Sequence, residues 1–363
     1  MAPYVCAAVR VQTTTLPSVL VQLATCIVGD PSVFGNRYFS SDPEVIRDNC
    51  NDMFVRLRSQ LLLHNVELNT EDISPPENSN LVLQMNVPRK RFEPRKGQVA
   101  YLFLWEPEAS SGLNWDRRLH VPYDRVLTWN ESWADGEKYF LFRFGYDLSI
   151  DFGPLPFEER RFCSMIAAPK TSNHPLALYR ERASLVRWMQ HKRPNDFDLY
   201  GPWWPTSRRP LLPFAVERRL PGFLRAALDA VFSPNPVVRG PVSSKRVALR
   251  KYRFSICFEN MRDLPGFVTE KIFDSMCAGC VPVYWGASNI ADLVPPDCFI
   301  DRRSFRDTAE LVAYLDGITS HEFACFQSRI RHFLGSAAAN PFRGASFADA
   351  LTQWVLEDLG LPQ

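Results

Sequence analysis

Two apolar runs in the second half of the chain flank an amphipathic segment. Residues 254–258 and 280–285 are mostly apolar and have the length of buried strands. Between them, Thr269 is a favourable N-cap residue for a helix that begins at Glu270 and carries apolar residues at helical spacing. Gly279 stands where a left-handed residue would end this helix. The pattern predicts a strand, a loop, a helix and a strand, with polar residues gathered between the first strand and the helix.

The first half of the chain shows alternating strand and helix patterns. Within residues 52–63, four apolar residues are predicted to share one helical face: Phe54, Leu57, Leu61 and Leu62. Buried strands are predicted at residues 81–87, 99–104 and 125–129. The apolar segment 16–29 predicts a further buried strand or helix. Such alternation is typical of an α/β fold with a doubly wound parallel sheet.

A break in this alternation falls between residues 145 and 161. Glycine and proline are frequent there, and the charged run 158–161 follows, which suits a connection between domains. A second alternating series begins at Phe162, with helices predicted around residues 182–190 and 221–232. We therefore predict two domains, spanning residues 1–155 and 156–345.

The last periodic pattern predicts a C-terminal helix within residues 346–363. Phe347, Leu351 and Val355 form one apolar stripe, and Ser346 is a possible N-cap. The polar face is acidic, whereas a helix that binds a membrane surface carries Lys and Arg there. We expect this helix to pack against the rest of the protein.

Composition narrows the class of protein. The 363 residues are enough for two domains with their own cores, and 46% hydrophobic and 23% charged residues are globular values. The chain carries 42 basic and 40 acidic residues, for a net charge of +2. A nucleic-acid partner is not expected, because it normally requires a basic domain or stripe.

Sequence features also suggest where the protein functions. The first ten residues lack the basic and then apolar order of a signal peptide, and the segment 16–29 is shorter than the ~20 residues that span a bilayer. Nine cysteines without regular spacing favour reduced thiols. Although Cys277 and Cys280 match a redox CxxC spacing, both lie in apolar segments and are predicted to be core residues. We expect a soluble cytoplasmic protein without a transmembrane segment.

Two sites combine an acidic residue with the end of a predicted strand. In open parallel sheets, ligands bind beyond the carboxyl ends of the strands. At the start of the predicted helix, the Glu270 carboxylate could accept hydrogen bonds from ribose hydroxyls while Lys271 contacts a diphosphate. The alternative is that Glu270 and Lys271 are both solvated. Glu106 follows the predicted strand 99–104, and its alternative is a solvated acid beside Glu108.

Metal and kinase motifs give weaker signals. Asp196-Phe-Asp198 resembles a metal-binding DxD motif, and Asp151-Phe-Gly153 resembles the magnesium motif of kinases. The second lacks the catalytic and glycine-rich loops that accompany it in kinases, so a turn is the better interpretation. The six histidines are scattered without metal-ligand spacing. We expect no metal site.

Three short segments together resemble the donor motif of the α-1,3-fucosyltransferases, a GT-B-type family that uses GDP-fucose. They are Phe-Glu-Asn at 258–260, Phe-x-Thr-Glu-Lys-Ile at 267–272 and Val-Pro-Val-Tyr-Trp-Gly at 281–286. The segments around Glu106, 123–129 and Arg182 occur in the order found in that family. One departure is Phe267, which stands where the family usually has tyrosine and therefore lacks a hydroxyl.

The resemblance implies a role for each matching residue. Glu106 maps onto the general base, with Glu108 as the local alternative. Arg182 maps onto an arginine that contacts the diphosphate, with Arg180 and Arg187 as alternatives. The residues that the resemblance places at the donor site are Asn173, Arg182, Arg253, Asn260, Phe267, Glu270 and Lys271. Asn173 and Arg253 rest on the shortest matches.

The resemblance also implies an architecture and a reaction. The architecture is GT-B, with two Rossmann-like domains facing across a cleft, the acceptor and base in the first and GDP-fucose in the second. The reaction is an inverting transfer of L-fucose to a hydroxyl of a glycan acceptor, with α-1,3 linkage. No cofactor is required, although a divalent cation could stimulate the reaction. The alternatives are a transferase with another nucleotide-sugar and a non-catalytic protein that binds sugar nucleotides or glycans.

Overall fold

Two six-stranded parallel sheets form the framework of the protein. They are seen in a computed structural model that describes residues 21–42, 45–46, 48, 50–90, 93–150, 153, 155–207 and 212–362. Asp151 and residues 16–20 of the N-terminal apolar segment lie outside the described residues. The rest of that segment contains a strand, Gln22–Ile27, as one of the two predicted alternatives.

The first sheet contains the strands of the first half of the chain. These strands are β1 (Gln22–Ile27), β2 (Val66–Thr70), β3 (Leu81–Met85), β4 (Val99–Leu104), β5 (Arg125–Thr128) and β6 (Tyr139–Leu141), in the order β2-β1-β3-β4-β5-β6. Helix α1 (Asp52–Leu63) connects β1 to β2 and buries Phe54, Leu57 and Leu61. Leu62 was wrongly assigned to this face. It is 62% exposed because it follows Leu61 by about 100° around the helix, which turns it away from the sheet.

The second sheet contains the strands that follow the predicted break. They are β7 (Arg161–Ile166), β8 (Phe197–Tyr200), β9 (Val238–Gly240), β10 (Tyr252–Phe258), β11 (Val281–Trp285) and β12 (Ile300–Asp301), in the order β12-β11-β10-β7-β8-β9. The strand order reverses between β7 and β10, which creates a crevice beyond their carboxyl ends. This is the strand order of a dinucleotide-binding Rossmann domain.

Helices cover the second sheet and connect its strands. They are α2 (Tyr179–Lys192), α3 (Phe214–Arg219), α4 (Gly222–Val231), α5 (Lys245–Leu249), α6 (Glu270–Cys277), α7 (Ile290–Leu293), α8 (Thr308–Gly317) and α9 (Ser320–Gly335). The predicted unit of β10, α6 and β11 is confirmed: Gly279 has a φ of 74° just after α6. Cys277 and Cys280 are free and buried there, and burial raises the pKa of Cys277 to about 12.

The C-terminal helix α10 (Gly344–Asp358) returns to the first sheet. It packs along α1, where Phe347 lies against Phe54 with ring centroids 5.5 Å apart. Near its end, Asp358 accepts two hydrogen bonds of 2.6 Å from Arg125 of β5. Ser346 is not the N-cap, because the helix already begins at Gly344. No helix among the described residues is long and apolar enough to cross a membrane.

Candidate active site

A cavity of about 480 Å³ lies between the two sheets, at the crevice between β7 and β10. Trp105 and Glu106, which follow β4, line it from the first domain, and Lys170, which follows β7, lines it from the second. The start of α6 also borders the cavity. Of the sequence-predicted site residues, those brought together here are Glu106, Arg182, Asn260, Phe267, Glu270 and Lys271.

Glu259 is the buried anchor of this site. It directly follows β10 and has no exposed surface. Its carboxylate accepts hydrogen bonds from the Thr269 amide at 2.8 Å and from the Thr269 hydroxyl at 2.8 and 2.9 Å. Glycine is required at Gly286, because a Cβ there would lie 2.5 Å from Glu259 Cγ. The carboxylate thus fixes the start of α6 to the end of β10.

Lys271 is held by the same carboxylate. Its ammonium donates to Glu259 Oε2 at 2.9 Å and to Thr269 Oγ1 at 2.9 Å. An ammonium has three N–H groups, so one remains for the cavity that Lys271 lines. Burial lowers the pKa of Lys271, but the Glu259 and Glu270 carboxylates outweigh this effect and raise it above its usual value.

Arg182 enters the cavity from α2. Its Nη2 donates to Phe258 O at 2.6 Å and to Asn260 Oδ1 at 3.1 Å, which ties α2 to the end of β10. Burial lowers the pKa of Arg182, yet a guanidinium keeps its charge in proteins. Arg180 and Arg187 are exposed and do not line the cavity, so the geometry favours Arg182 among the three arginines.

Glu270 lies at the first position of α6 beside two lysines. Lys245 Nζ is 3.4 Å from its carboxylate, and Lys271 Nζ is 3.9 Å away. Burial would raise the pKa of Glu270, but the charges of Lys271 and Lys245 hold it well below its usual range. Lys245 also contacts Asp274 at 2.8 Å. Glu270 is therefore a charged acceptor at neutral pH.

Glu106 and Glu108 occupy different environments. The backbone around Glu106 is fixed by Asn86 and Asn114, whose side chains bond to its N–H and C=O at 2.9 Å. Within the described part of the chain, the half-buried Glu106 carboxylate has no hydrogen-bond partner and borders the cavity. Glu108 lies outside the lining and is 3.2 Å from His174 Nε2 across the cleft. Of the two glutamates, Glu106 is the one that lines the cavity.

Phe267 is a contact between the domains as well as a cavity residue. Its ring centroid lies 4.7 Å from that of Trp129 and 6.3 Å from that of Phe144, both in the first domain. Only 2% of Phe267 is exposed. An aromatic ring without a hydroxyl fits this apolar setting, so Phe267 packs the domain interface beside the site.

Two predicted donor residues lie away from the cavity. Asn173 is exposed in the loop before α2. Arg253 donates to Phe157 O at 3.0 Å, and its guanidinium lies 3.8 Å from the centre of the Phe157 ring. Arg253 therefore holds the segment that precedes β7. The structure brings neither residue to the other donor-site positions.

Three charged residues of the site were not identified from the sequence: Lys170 and Lys245, which line the cavity, and Glu259, which is buried behind Lys271. Glu259 sits in the same Phe-Glu-Asn segment as Asn260, but a carboxylate at a strand end is more often solvated than buried. Lys245 precedes β10 and reaches the site only because α5 packs against α6. The sequence signal for this contact is Asp274, which stands one helical turn after Glu270.

The aspartate of the DxD-like segment has a structural role. Asp198 is fully buried in β8, and it contacts Tyr252 Oη at 2.6 Å, Arg239 at 2.7 Å and Arg161 at 2.9 Å. Over the described ranges, no group of three or more His, Cys, Asp and Glu side chains is arranged to hold a metal ion.

Solved structures show which architecture the protein shares. The chain aligns with an α-glucosyltransferase in complex with UDP, with a TM-score of 0.55 and 8% identity, over 93% of this chain and 99% of that one. It also aligns with a crystal structure of an α1,3-fucosyltransferase, with a TM-score of 0.50 and 15% identity, over 94% and 91%. The predicted GT-B architecture of two Rossmann-like domains is confirmed.

Sequence comparison finds similarity to known proteins within the second domain. Residues 236–327 match the family model described as glycosyltransferase family 10 (fucosyltransferase) C-term. A stretch of 108 residues is 32% identical to an alpha-(1,3)-fucosyltransferase FucT of Helicobacter pylori, covering 27% of this chain and 22% of the relative. Another of 68 residues is 43% identical to an alpha-(1,4)-fucosyltransferase of Arabidopsis thaliana, covering 19% and 17%. These findings confirm the predicted resemblance to the fucosyltransferases.

Proposed function

We propose that the protein transfers L-fucose from GDP-fucose to a hydroxyl of a glycan acceptor, with inversion at the anomeric carbon. One observation carries the proposal: a single cavity joins Glu106 of the first domain to Arg182, Glu270 and Lys271 of the second. The chain aligns with about a fifth of the length of the curated relatives it matches, 22% and 17%. The activity therefore rests on this site rather than on full-length similarity.

The donor would bind on the second-domain wall. The Glu270 carboxylate is charged and suits hydrogen bonds from ribose hydroxyls. The remaining N–H of Lys271 and the Nε and Nη1 groups of Arg182, which have no partner among the described residues, suit a diphosphate. Two cations and the helix start of α6 thus favour the negative charge at this end of the cavity.

Catalysis would take place between the two walls. Glu106 removes the proton of the acceptor hydroxyl as its oxygen attacks the anomeric carbon from the face opposite the leaving group. The bond from that carbon to the diphosphate breaks, and negative charge develops on GDP. Lys271 and Arg182 stabilise this charge more strongly in the transition state than in the bound donor, which accelerates the step.

The decisive experiment measures GDP and UDP release from a panel of nucleotide-sugars, with and without glycan acceptors. We expect release from GDP-fucose that depends on an acceptor. Release from a UDP-sugar alone would support the transferase with another donor. Binding of GDP-fucose without turnover on any acceptor would support a non-catalytic binding protein.

The linkage is also part of the proposal. The relatives include enzymes named for α-1,3 and for α-1,4 transfer, and both share the donor-side segment. Donor residues do not set the position of the accepting hydroxyl, because the acceptor binds on the first domain. We propose α-1,3 linkage, which NMR of the isolated product tests directly.

Metal independence is a further expectation. The proposed stabilisation of GDP uses Lys271, Arg182 and the α6 helix start, so fucosyl transfer should persist in excess EDTA, with a divalent cation at most stimulating it. The check is the initial rate with EDTA and after adding back Mn²⁺ or Mg²⁺. A complete loss that Mn²⁺ restores would contradict this mechanism.

The Glu259 carboxylate should set the pH range of donor binding. Glu259, Glu270 and Arg182 are the charged groups that face Lys271, and the two carboxylates raise its pKa. Glu259→Gln removes the nearer carboxylate but leaves the ammonium buried, so the pKa of Lys271 should fall. Because only the charged form attracts the diphosphate, GDP affinity should fall about tenfold per pH unit above the lowered pKa.

Calorimetric titration of GDP from pH 7 to pH 9.5 tests this expectation. The ratio of wild-type to Glu259→Gln affinity should widen as the pH rises, whereas Glu108→Gln should track the wild type. Protonation of GDP itself affects both proteins equally, so it cancels in the ratio of the two affinities. A ratio that stays constant over this range would show that Glu259 does not maintain the charge of Lys271.

A further inference from the structure

An excursion between β8 and β9 carries the helices α3 and α4. Its base is closed by a bridge between Ser207 and Pro234 and by a 2.7 Å hydrogen bond from Asn235 N to Thr206 O. We refer to residues 212–232 as the α3–α4 hairpin. Gly201 and Pro202, just before the excursion, line the cavity, so the hairpin leaves the second sheet at the edge where the proposed donor binds.

Helix α4 packs with its polar face inward. Asp229 accepts hydrogen bonds from Thr206 Oγ1 at 2.5 Å and from Ser207 Oγ at 2.6 Å, and Arg225 Nη2 donates to Arg218 O at 3.3 Å. None of the ten residues of α4 is buried. Most amphipathic helices turn their polar side chains to water. In α4, polar side chains instead attach the helix to the rest of the excursion.

The apolar face of α4 points to solvent. Phe223 is 77% exposed and Val231 is 78% exposed, and Leu224, which is 39% exposed, lies at the edge of the same face. At helical spacing these residues span an arc of about 100°. A ten-residue helix is marginal in water on its own, and a continuous apolar face of this kind marks an interaction surface.

The helix before α4 carries exposed positive charge. Arg218 and Arg219 are exposed at the end of α3, whereas Glu217 is buried and Asp229 is turned inward. In sequence, residues 207–232 contain five Arg, one Glu and one Asp, which is a net charge of 5 − 2 = +3 against +2 for the whole chain. The rest of the chain therefore has a net charge of 2 − 3 = −1, so the excess of positive charge in the sequence falls on this excursion.

We propose that the α3–α4 hairpin docks onto the surface of an anionic phospholipid membrane. The aromatic and aliphatic side chains of α4 enter the boundary between headgroups and acyl chains, and the arginines of α3 contact the anionic headgroups. An exposed apolar helical face and exposed arginines on the preceding helix are the two features that such binding requires. The proposal is independent of the transfer reaction, because no hairpin residue takes part in the site.

Vesicle co-flotation of the purified full-length chain tests the proposal, with neutral phosphatidylcholine vesicles compared with vesicles containing 30% phosphatidylserine. We expect binding to the anionic vesicles that weakens in high salt. Phe223→Ser with Val231→Ser should reduce the bound fraction at least tenfold. Arg218→Gln with Arg219→Gln should weaken binding by roughly fivefold for each arginine removed.

Leu62→Ser with Leu63→Ser is the matched control, since these leucines of α1 are 62% and 82% exposed but lie outside the hairpin. This control should bind like the wild type, and thermal unfolding should be equal in all variants. The proposal is overturned if wild-type chain does not bind anionic vesicles, or if the serine variant binds as well as the control. A dimer that the serine substitutions dissociate, without vesicle binding, would instead identify a second copy as the occupant.

Discussion

Replacing Glu106 with glutamine is expected to lower kcat for fucosyl transfer by roughly 10²–10⁴ while GDP affinity is unchanged. Glutamine keeps the shape of the side chain and its backbone contacts to Asn86 and Asn114, but it cannot accept the acceptor's proton. Donor binding should survive because Glu106 belongs to the opposite wall of the cavity. The measurements are kcat at saturating donor and acceptor, and GDP affinity by calorimetry.

Glu108→Gln is the matched control for this experiment. Glu108 stands two residues away and faces His174 rather than the cavity, so its replacement should have a mild effect. A near-normal kcat in Glu106→Gln would reject Glu106 as the base. If turnover instead collapsed in Glu108→Gln, the role would move to Glu108 and the cleft would have to rearrange on binding.

Replacing Lys271 with alanine is expected to weaken GDP binding and to lower turnover together. The ammonium would contact the diphosphate in both the bound donor and the transition state, so both measurements should respond. Loss of a charge-assisted hydrogen bond costs about 1.5–3 kcal/mol, which is roughly tenfold or more in affinity. Lys251→Ala, at an exposed position just before β10, is the control and should behave like the wild type.

A second variant separates binding from stability. Lys271→Ala leaves the fully buried Glu259 carboxylate without its counter-charge, and breaking a buried pair costs about 3–5 kcal/mol in stability. The double variant Glu259→Gln with Lys271→Met removes both charges and should regain much of that stability while GDP binding stays weak. Recovery of GDP affinity in the double variant would show that Lys271 acts only on folding.

The organising strands and helices could be predicted because their signals are local. Both apolar runs around α6 became parallel strands, and Gly279 adopts the left-handed conformation that ends the helix. Errors fall where a local signal is ambiguous. Leu62 directly follows Leu61, which lies on the buried face of α1. Ser346 is a good capping residue, but it lies inside a helix that starts two residues earlier.

The candidate site was only partly predictable, because side-chain direction and long-range contacts leave little trace in sequence. Motif position placed Arg253 near the donor, but its side chain stacks on Phe157 instead. Glu259 was recognised as part of a motif without its function as a buried counter-charge, which depends on Thr269 and Lys271 meeting it in space. The outward apolar face of α4 could not be inferred either, since its spacing alone also suits a buried helix.

The return of α10 to the first sheet has a consequence for engineering. The backbone passes between the domains twice, before Arg161 and before Gly344, so the second domain is inserted into the first rather than appended to it. A chimera that exchanges only the N-terminal part would separate α10 from its partners on α1 and β5. Recombining donor and acceptor halves from different relatives therefore requires two junctions, and the last helix must travel with the N-terminal half.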